Sequence, residues 1–298
     1  LKEKGQGMSD MAPIEHIIVP RLRDIGDFSV MRVLPAAARR MVGPFVFLDQ
    51  FGPVTLAAGK GMDVRPHPHI GLETVTYLLK GSIVHRDSLG SLQSIEPGDV
   101  NWMTAGRGIV HSERSDAELR KRPQELYGLQ SWVALPRADE ETAPAFTHYG
   151  SDKLPEEKAA GVALKVIAGS VDGLTSPVKT YSDLFYADVT LAPGASYRLS
   201  ADYDERAAYL IEGVVSIDGT DYEQGRLLAF GPGEIVLRAV TAARLVVLGG
   251  APLDGPRHIF WNFVSSSKER IEQAKEDWRR DQFGLRIPGE HEFIPLPD

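Results

Sequence analysis

Four of the eight histidines fall between Gly61 and Glu113, and three of these sit in tight patterns. His67-Pro68-His69 is an H-x-H, and His111-Ser112-Glu113 is an H-x-E. Alternate residues of a β-strand share a face, so each pattern points two coordinating side chains the same way. Two such strands facing one another across a small barrel would close a site of three imidazoles and one carboxylate. That donor set suits iron, manganese, copper, nickel or zinc. A bare H-x-H is a weak signal, whereas H-x-H followed at barrel spacing by H-x-E is a specific one.

The strands needed to position these groups are legible. Residues 14–34 hold short β-branched runs broken by Pro20 and Gly26. Residues 43–53 read as an apolar strand closed by a Gly-Pro turn, and residues 72–79 and 82–85 as two further strands separated by Lys80-Gly81. Glu96-Pro97-Gly98-Asp99 is a turn by composition. Ala36 to Arg40 is read as one helical turn, on propensity alone. The acidic, proline-bearing stretch 136–157 has no pattern and is taken as an inter-domain connection.

Beyond it the β pattern resumes and repeats the first half. Tyr77-Leu78-Leu79-Lys80-Gly81 matches Tyr209-Leu210-Ile211-Glu212-Gly213, and the stretch from Gly98 to Gly106 matches that from Gly225 to Gly233. A repeat of about 130 residues implies two copies of one domain. Carried across, His67 and His69 correspond to Leu199 and Ala201, and His111 and Glu113 to Arg238 and Val240. Only Glu73 keeps a counterpart, Glu205. The second copy is therefore expected to bind no metal. From Ser265 to Phe283 the period becomes helical, with Ile271, Ala274 and Trp278 on one face. Ser266 and Glu269 form a candidate capping box and Gly284 a stop. That helix is expected to pack on a barrel flank, with the tail after it along the surface.

These motifs resemble the cupin superfamily and, within it, the pirin family. Gly61, His67, His69 and Glu73 fit the first cupin motif, G-x5-H-x-H-x3,4-E-x6-G, with the closing Gly81 one residue late. The second motif departs from the general pattern, ending in TAGRGIVHSE. Together with VGPFVFLDQFGP and HPHIGLETVTYLLKG it is similar to the pirin signature. The resemblance covers roughly residues 12–263 and implies an all-β bicupin. That architecture has two β-barrel (jelly-roll type) domains, one metal-bearing and one bare. The expected boundaries are 12–136 for the metal-binding barrel, 137–160 for the connection, 161–263 for the degenerate barrel and 264–298 for the C-terminal α-helix and tail.

General cupins use the motif-one glutamate as a ligand, so five groups compete for four places. The resemblance favours Glu113 over Glu73, and so does the face Glu113 shares with His111. Glu73 follows Gly71, where a bulge can turn it away. The expected ligands are His67, His69, His111 and Glu113, with Glu73 nearby. His16, His148, His258 and His291 have no same-face partner and read as structural or solvated. His85 lies in the next strand, and alternation alone decides its face. Phe45, Phe47, Phe51, Tyr77 and Trp102 read mostly as barrel core, with one or two available to line a flat cavity over the metal. The glycines of Gly106-Arg107-Gly108 let the backbone turn just before the second ligand strand. They lack the strand–loop–Lys–helix context of a nucleotide site.

The pirin resemblance implies two kinds of function. One is a quercetin 2,3-dioxygenase, opening a flavonol with O2 at one Fe(II) per chain, with manganese, copper, nickel, cobalt or zinc as alternatives. Glu113 or Glu73 would then be the general base. The other is a non-enzymatic, iron-dependent regulator that binds a protein partner. A metal-assisted isomerase or sugar-modifying cupin is a third class. The chain as a whole sets limits on all three. Its 298 residues allow one large or two ordinary domains, and 43% hydrophobic with 25% charged residues is a globular composition. The absence of cysteine excludes disulfides, thiolate ligands and a cysteine nucleophile. A net charge of −8 argues against non-specific nucleic-acid binding. No apolar run is long enough for a membrane span, and no signal pattern opens the sequence, which fits a cytoplasmic protein. Residues 1–10 read as a disordered or vector-derived segment, with Met8 or Met11 as a natural start.

Overall fold

The computed structural model describes residues 13–25, 29–281 and 283–298; the reading of residues 1–10 lies outside these. Two large antiparallel sheets stand back to back, and each closes a barrel with a smaller four-stranded sheet. The first large sheet runs in the order Ala145–Tyr149, Val100–Thr104, Leu72–Lys80, Gln124–Ala134, Phe45–Leu56, Ser29–Leu34, Arg21–Asp24. Its partner sheet is Asp63–His69, Ile109–Arg114, Ile83–Asp87, Leu92–Ile95. The second barrel repeats the plan, with Ser196–Leu199 and Ile235–Ala239 as the counterparts of Asp63–His69 and Ile109–Arg114.

Strand alternation serves two cores at once. Along Leu72–Lys80, Val75, Tyr77 and Leu79 face the other barrel, while Leu72 and Leu78 face their own interior. Along Leu184–Leu191, Leu184 and Tyr186 face the first barrel, while Phe185, Ala187 and Val189 face inward. Such strands read as continuous apolar runs, a pattern more usual for parallel sheets, because both faces are covered. Between the sheets the Tyr77 hydroxyl donates to Asp188 (2.7 Å), which also receives Arg244. The second barrel holds one continuous apolar core. The interior of the first holds two separate patches, around Val46, Leu72 and Trp132 and around Phe51, Met62 and Leu78.

Several expectations are corrected. Residues 36–40 are bends and not a helical turn, since five residues beside Pro35 are too few to sustain one. The 43–53 strand does not close at Gly52-Pro53 but continues as Phe45–Leu56 past a register shift opposite Leu126 and Gly128. The stretch 136–157 is not unpatterned. It holds the short 3-10 turns Arg137–Asp139 and Ser151–Lys153, and its strand Ala145–Tyr149 pairs with Val100–Thr104. That strand is a sheet edge, where polar residues are tolerated. At the other end of the chain, Ile14–Ile18 pairs with Arg226–Phe230, so the first strand joins the second barrel's sheet. The helix spans Lys268–Arg279 with Ser267 as its N-cap, accepting from the Arg270 amide; Ser266 instead binds Glu140. Among the described residues no helix is long and apolar enough to cross a membrane.

Ladder register also corrects the correspondence between the barrels. His67 stands opposite His111 and His69 opposite Ile109; Tyr197 stands opposite Leu237 and Leu199 opposite Ile235. The four ligand positions thus map to Tyr197, Leu199, Leu237 and Ala239, and not to Leu199, Ala201, Arg238 and Val240. The connecting loops differ in length, so one constant offset fails. The corrected residues are buried in the second core, whereas Ala201, Arg238 and Val240 are exposed. Apolar side chains fill the space that the imidazoles occupy in the first barrel. Elemental analysis of purified protein should therefore return close to one transition-metal ion per chain; a value near two would overturn this assignment.

Candidate metal centre

Asp63–His69 and Ile109–Arg114 are neighbours in the smaller sheet of the first barrel, and their pairing sets His67 directly across from His111. His69 lies two residues further on the same face. One nitrogen of each ring falls within 4.8 Å of the others. All three rings are buried. Burial drives His67 down to about 4, and His69 and His111 well below the usual histidine range, so each is neutral and carries a lone pair near neutral pH.

The outward nitrogens decide which lone pairs face in. His67 Nδ1 lies 2.8 Å from the Arg65 carbonyl, and His69 Nδ1 3.2 Å from the Asn262 carbonyl. A carbonyl only accepts, so both Nδ1 atoms carry the proton and both Nε2 atoms are free to coordinate. His69 Nε2 and His111 Nε2 stand 3.1 Å apart. Two nitrogen lone pairs at that distance repel unless a proton or a cation lies between them. Three converging neutral imidazoles therefore fit a transition-metal ion.

Glu113 lines the same cavity but lies outside the tight histidine cluster. Its Oε1 accepts from the Thr76 hydroxyl at 3.0 Å, and Thr76 in turn lies 2.9 Å from the Gln130 amide. Burial pushes its carboxyl up. Glu73 is different. The chain turns a corner at Ile70-Gly71 and enters the other sheet. Gly71 holds φ at +67°, and a Cβ there would sit 2.0 Å from the Val264 carbonyl oxygen, so only glycine fits. Past this corner the faces exchange. Glu73 joins Val75 and Tyr77 between the two sheets, where its Oε1 accepts from Trp102 and Thr104 and its Oε2 has no partner. The expectation of Glu73 as a base beside the metal fails on this geometry.

The cavity above the histidines measures about 390 Å³. Phe47 and Phe51 line it, as do Trp132 and Met62, while Phe45, Tyr77 and Trp102 belong to the inter-sheet core. Phe47 stacks on Trp132 at 3.9 Å, and Trp132 meets His69 edge-on. Arg32 lies over Phe47 and pairs with Asp49, whose carboxyl burial raises to about 6 despite that arginine. A larger groove of 580 Å³ lies between the helix and the tail, and none of the three histidines lines it.

The C-terminal segment supplies parts the sequence did not reveal. Ile271 and Ala274 of the helix pack on Ile70 and Phe263, under the end of the first ligand strand. Trp261, with φ at +51°, turns the backbone that presents the Asn262 carbonyl to His69. The tail amide of Ile294 donates to the Pro66 carbonyl, and Ile294 lines the cavity. Glu290 accepts from Ser112 and Arg114, the two neighbours of Glu113. None of these contacts has a local sequence signal.

Comparison with known proteins identifies the family. Residues 27–133 match the family model "Pirin", and residues 186–284 match "Pirin C-terminal cupin domain". The chain belongs to the pirin family. A pirin-like protein of Caulobacter vibrioides is 50% identical over 289 residues, covering 96% of this chain and all of its own. Pirin of Rattus norvegicus is 32% identical, covering 86% of this chain and 88% of its own. The crystal structure of quercetin 2,3-dioxygenase from Acinetobacter baumannii is 32% identical with a TM-score of 0.88, covering 95% of each chain. The pirin fold thus accounts for the two cupin-type barrels and the C-terminal helix.

Two predictions follow from the placement of these groups. His111→Ala should lose most bound metal while keeping its circular-dichroism spectrum, because a chain this long does not need a metal clip to fold. Glu73 has a folded pKa of about 7, raised by burial. A carboxyl raised in the native state contributes stability below its unfolded value that is lost as pH rises through the folded one. Between pH 5 and pH 8 the stability of Glu73→Gln should therefore gain about 2–3 kcal/mol relative to the parent. Urea midpoints at the two pH values measure this, and a difference independent of pH would contradict it.

Proposed function

We propose that this pirin is a metal-dependent dioxygenase that opens a flavonol such as quercetin with O2. His67, His69 and His111 would hold one Fe(II) ion, and Glu113 would supply the fourth ligand. The observation that carries the proposal is the cavity, lined largely by apolar and aromatic side chains, built directly over three neutral imidazoles. The quercetin 2,3-dioxygenase structure with which this chain shares its fold along nearly its whole length supports it. A volume of about 390 Å³ lies in the range of about 300–1,000 Å³ typical of small-molecule pockets. Phe47 and Trp132, stacked on one another, line the cavity with aromatic surface, and the Arg32–Asp49 pair offers polar contacts to a substrate's hydroxyls.

When bound, the ion would supply the Lewis acidity that favours an ionised flavonol and the electron transfer that reaction with O2 requires. The remaining work falls to the protein. Glu113, raised by burial and oriented by Thr76, takes the proton of the substrate's 3-hydroxyl. Phe47, Phe51 and Trp132 give the substrate an apolar wall, and Ile294 of the tail helps to exclude water. Both atoms of O2 enter the opened product, and one ring carbon leaves as carbon monoxide.

Protein loaded with Fe(II) anaerobically and then mixed with quercetin and O2 should consume oxygen as the flavonol absorbance falls. Glu113→Gln keeps the shape but removes the charge, and turnover should drop by about 10²–10⁴-fold. A fully iron-loaded parent that consumes no oxygen with any flavonol tried would sink this reading.

A further inference from the structure

His67 and His69 are each held by a backbone carbonyl, but His111 is not. Its Nδ1 lies 3.4 Å from Nδ1 of His85, a residue left outside the expected ligand set. His85 is 2% exposed, and its ring stacks flat on Phe146 at 4.1 Å and 9°. Its other nitrogen, Nε2, lies 3.0 Å from Asp87 Oδ2. Asp87 is fully buried, and its Oδ1 accepts from the amides of Leu89 (2.9 Å) and Ser91 (3.0 Å). The alternation of Ile83–Asp87 turns Ile83, His85 and Asp87 inward together.

The donors in this chain of contacts run one way. The Asp87 carboxylate only accepts, so His85 Nε2 carries the proton and His85 Nδ1 is left as an acceptor. His111 Nδ1 must then be the donor, which leaves His111 Nε2 bare and facing His69. We propose that Asp87 and His85 are positioning residues that fix the tautomer of His111 and pass the carboxylate's negative charge to it. Of the three imidazoles, His111 is the one linked to a carboxylate, and through it the bound ion is tuned. A hydrogen-bond acceptor on the far ring nitrogen fixes the tautomer of a ligating histidine and raises its basicity. The inference rests on the metal-binding reading of the site and does not depend on the identity of the substrate.

The test has one arm that needs no metal. In the metal-free protein, nitrogen-15 NMR of the imidazoles should show His85 protonated at Nε2 and His111 at Nδ1. His85 protonated at Nδ1 overturns the relay whatever the metal results. The second arm measures Fe(II) affinity and the midpoint potential of the loaded protein. Asp87→Asn should weaken affinity by about 10–100-fold and raise the potential. Asp87 also caps the 88–91 turn, so His85→Phe and His85→Gln carry the arm if that variant does not fold. Phenylalanine breaks the chain of hydrogen bonds and should behave as Asp87→Asn, whereas glutamine can accept from His111 and donate to Asp87 and should recover most of the loss. Equal affinity and potential in the parent and in His85→Phe overturn the proposal while leaving the metal centre intact. A parent that takes up no ion is a separate result and refutes the metal centre itself.

Discussion

The site depends on one antiparallel pairing, which sets His67 opposite His111. Directly opposed residues in such a ladder bring their side chains within about 5 Å, and a slip of one residue would send every side chain of the strand to the other face. Register must therefore be held tightly, and the chain holds it from several sides. The Ile109–Arg114 strand is flanked by Asp63–His69 and by Ile83–Asp87. Arg114 at its end is gripped by Asp63 and by Glu290 of the tail. The neutrality of the three rings follows from the same confinement, since burial leaves no water to solvate an imidazolium.

The second barrel shows what this arrangement costs the first. With Tyr197, Leu199 and Leu237 at the corresponding positions, the second core is continuous. In the first barrel the apolar interior lies in two separate patches, and polar groups stand in the cavity. The face between the two large sheets makes up much of the lost packing. Tyr77, Trp102, Tyr186 and Tyr209 are buried there in one shared cluster, so the bare barrel acts as a rigid backing for the one that carries chemistry.

The ligand strands were legible in the sequence because their information is local. H-x-H and H-x-E need only the two-residue period of a strand, and the repeat needed only two similar stretches. The failures came where geometry is set elsewhere. Glu73 was expected beside the site; Gly71 signalled a turn in its strand, but no sequence rule shows that this turn carries the chain into the other sheet. The counterparts in the second barrel were displaced by one or two positions because loop lengths drifted. Asn262 and Ile294 reach His69 and Pro66 from 193 and 228 residues away in the chain, and only tertiary structure brings them there. His85 was a nearer miss, since its inward face depends on the same alternation that exposed the ligands.

The first strand, Ile14–Ile18, finds its partner at Arg226–Phe230. It must wait for that later strand before it can pair. Contacts of such long sequence separation form late and slowly. The segment after the helix makes the reverse journey, with Ile294 returning from beyond the second barrel to the first. Each barrel is thus finished by a segment that lies beyond the other in the chain. Neither barrel is complete on the residues of its own half, and a cut between them would leave the second without its Ile14–Ile18 strand and the histidine cavity without Ile294.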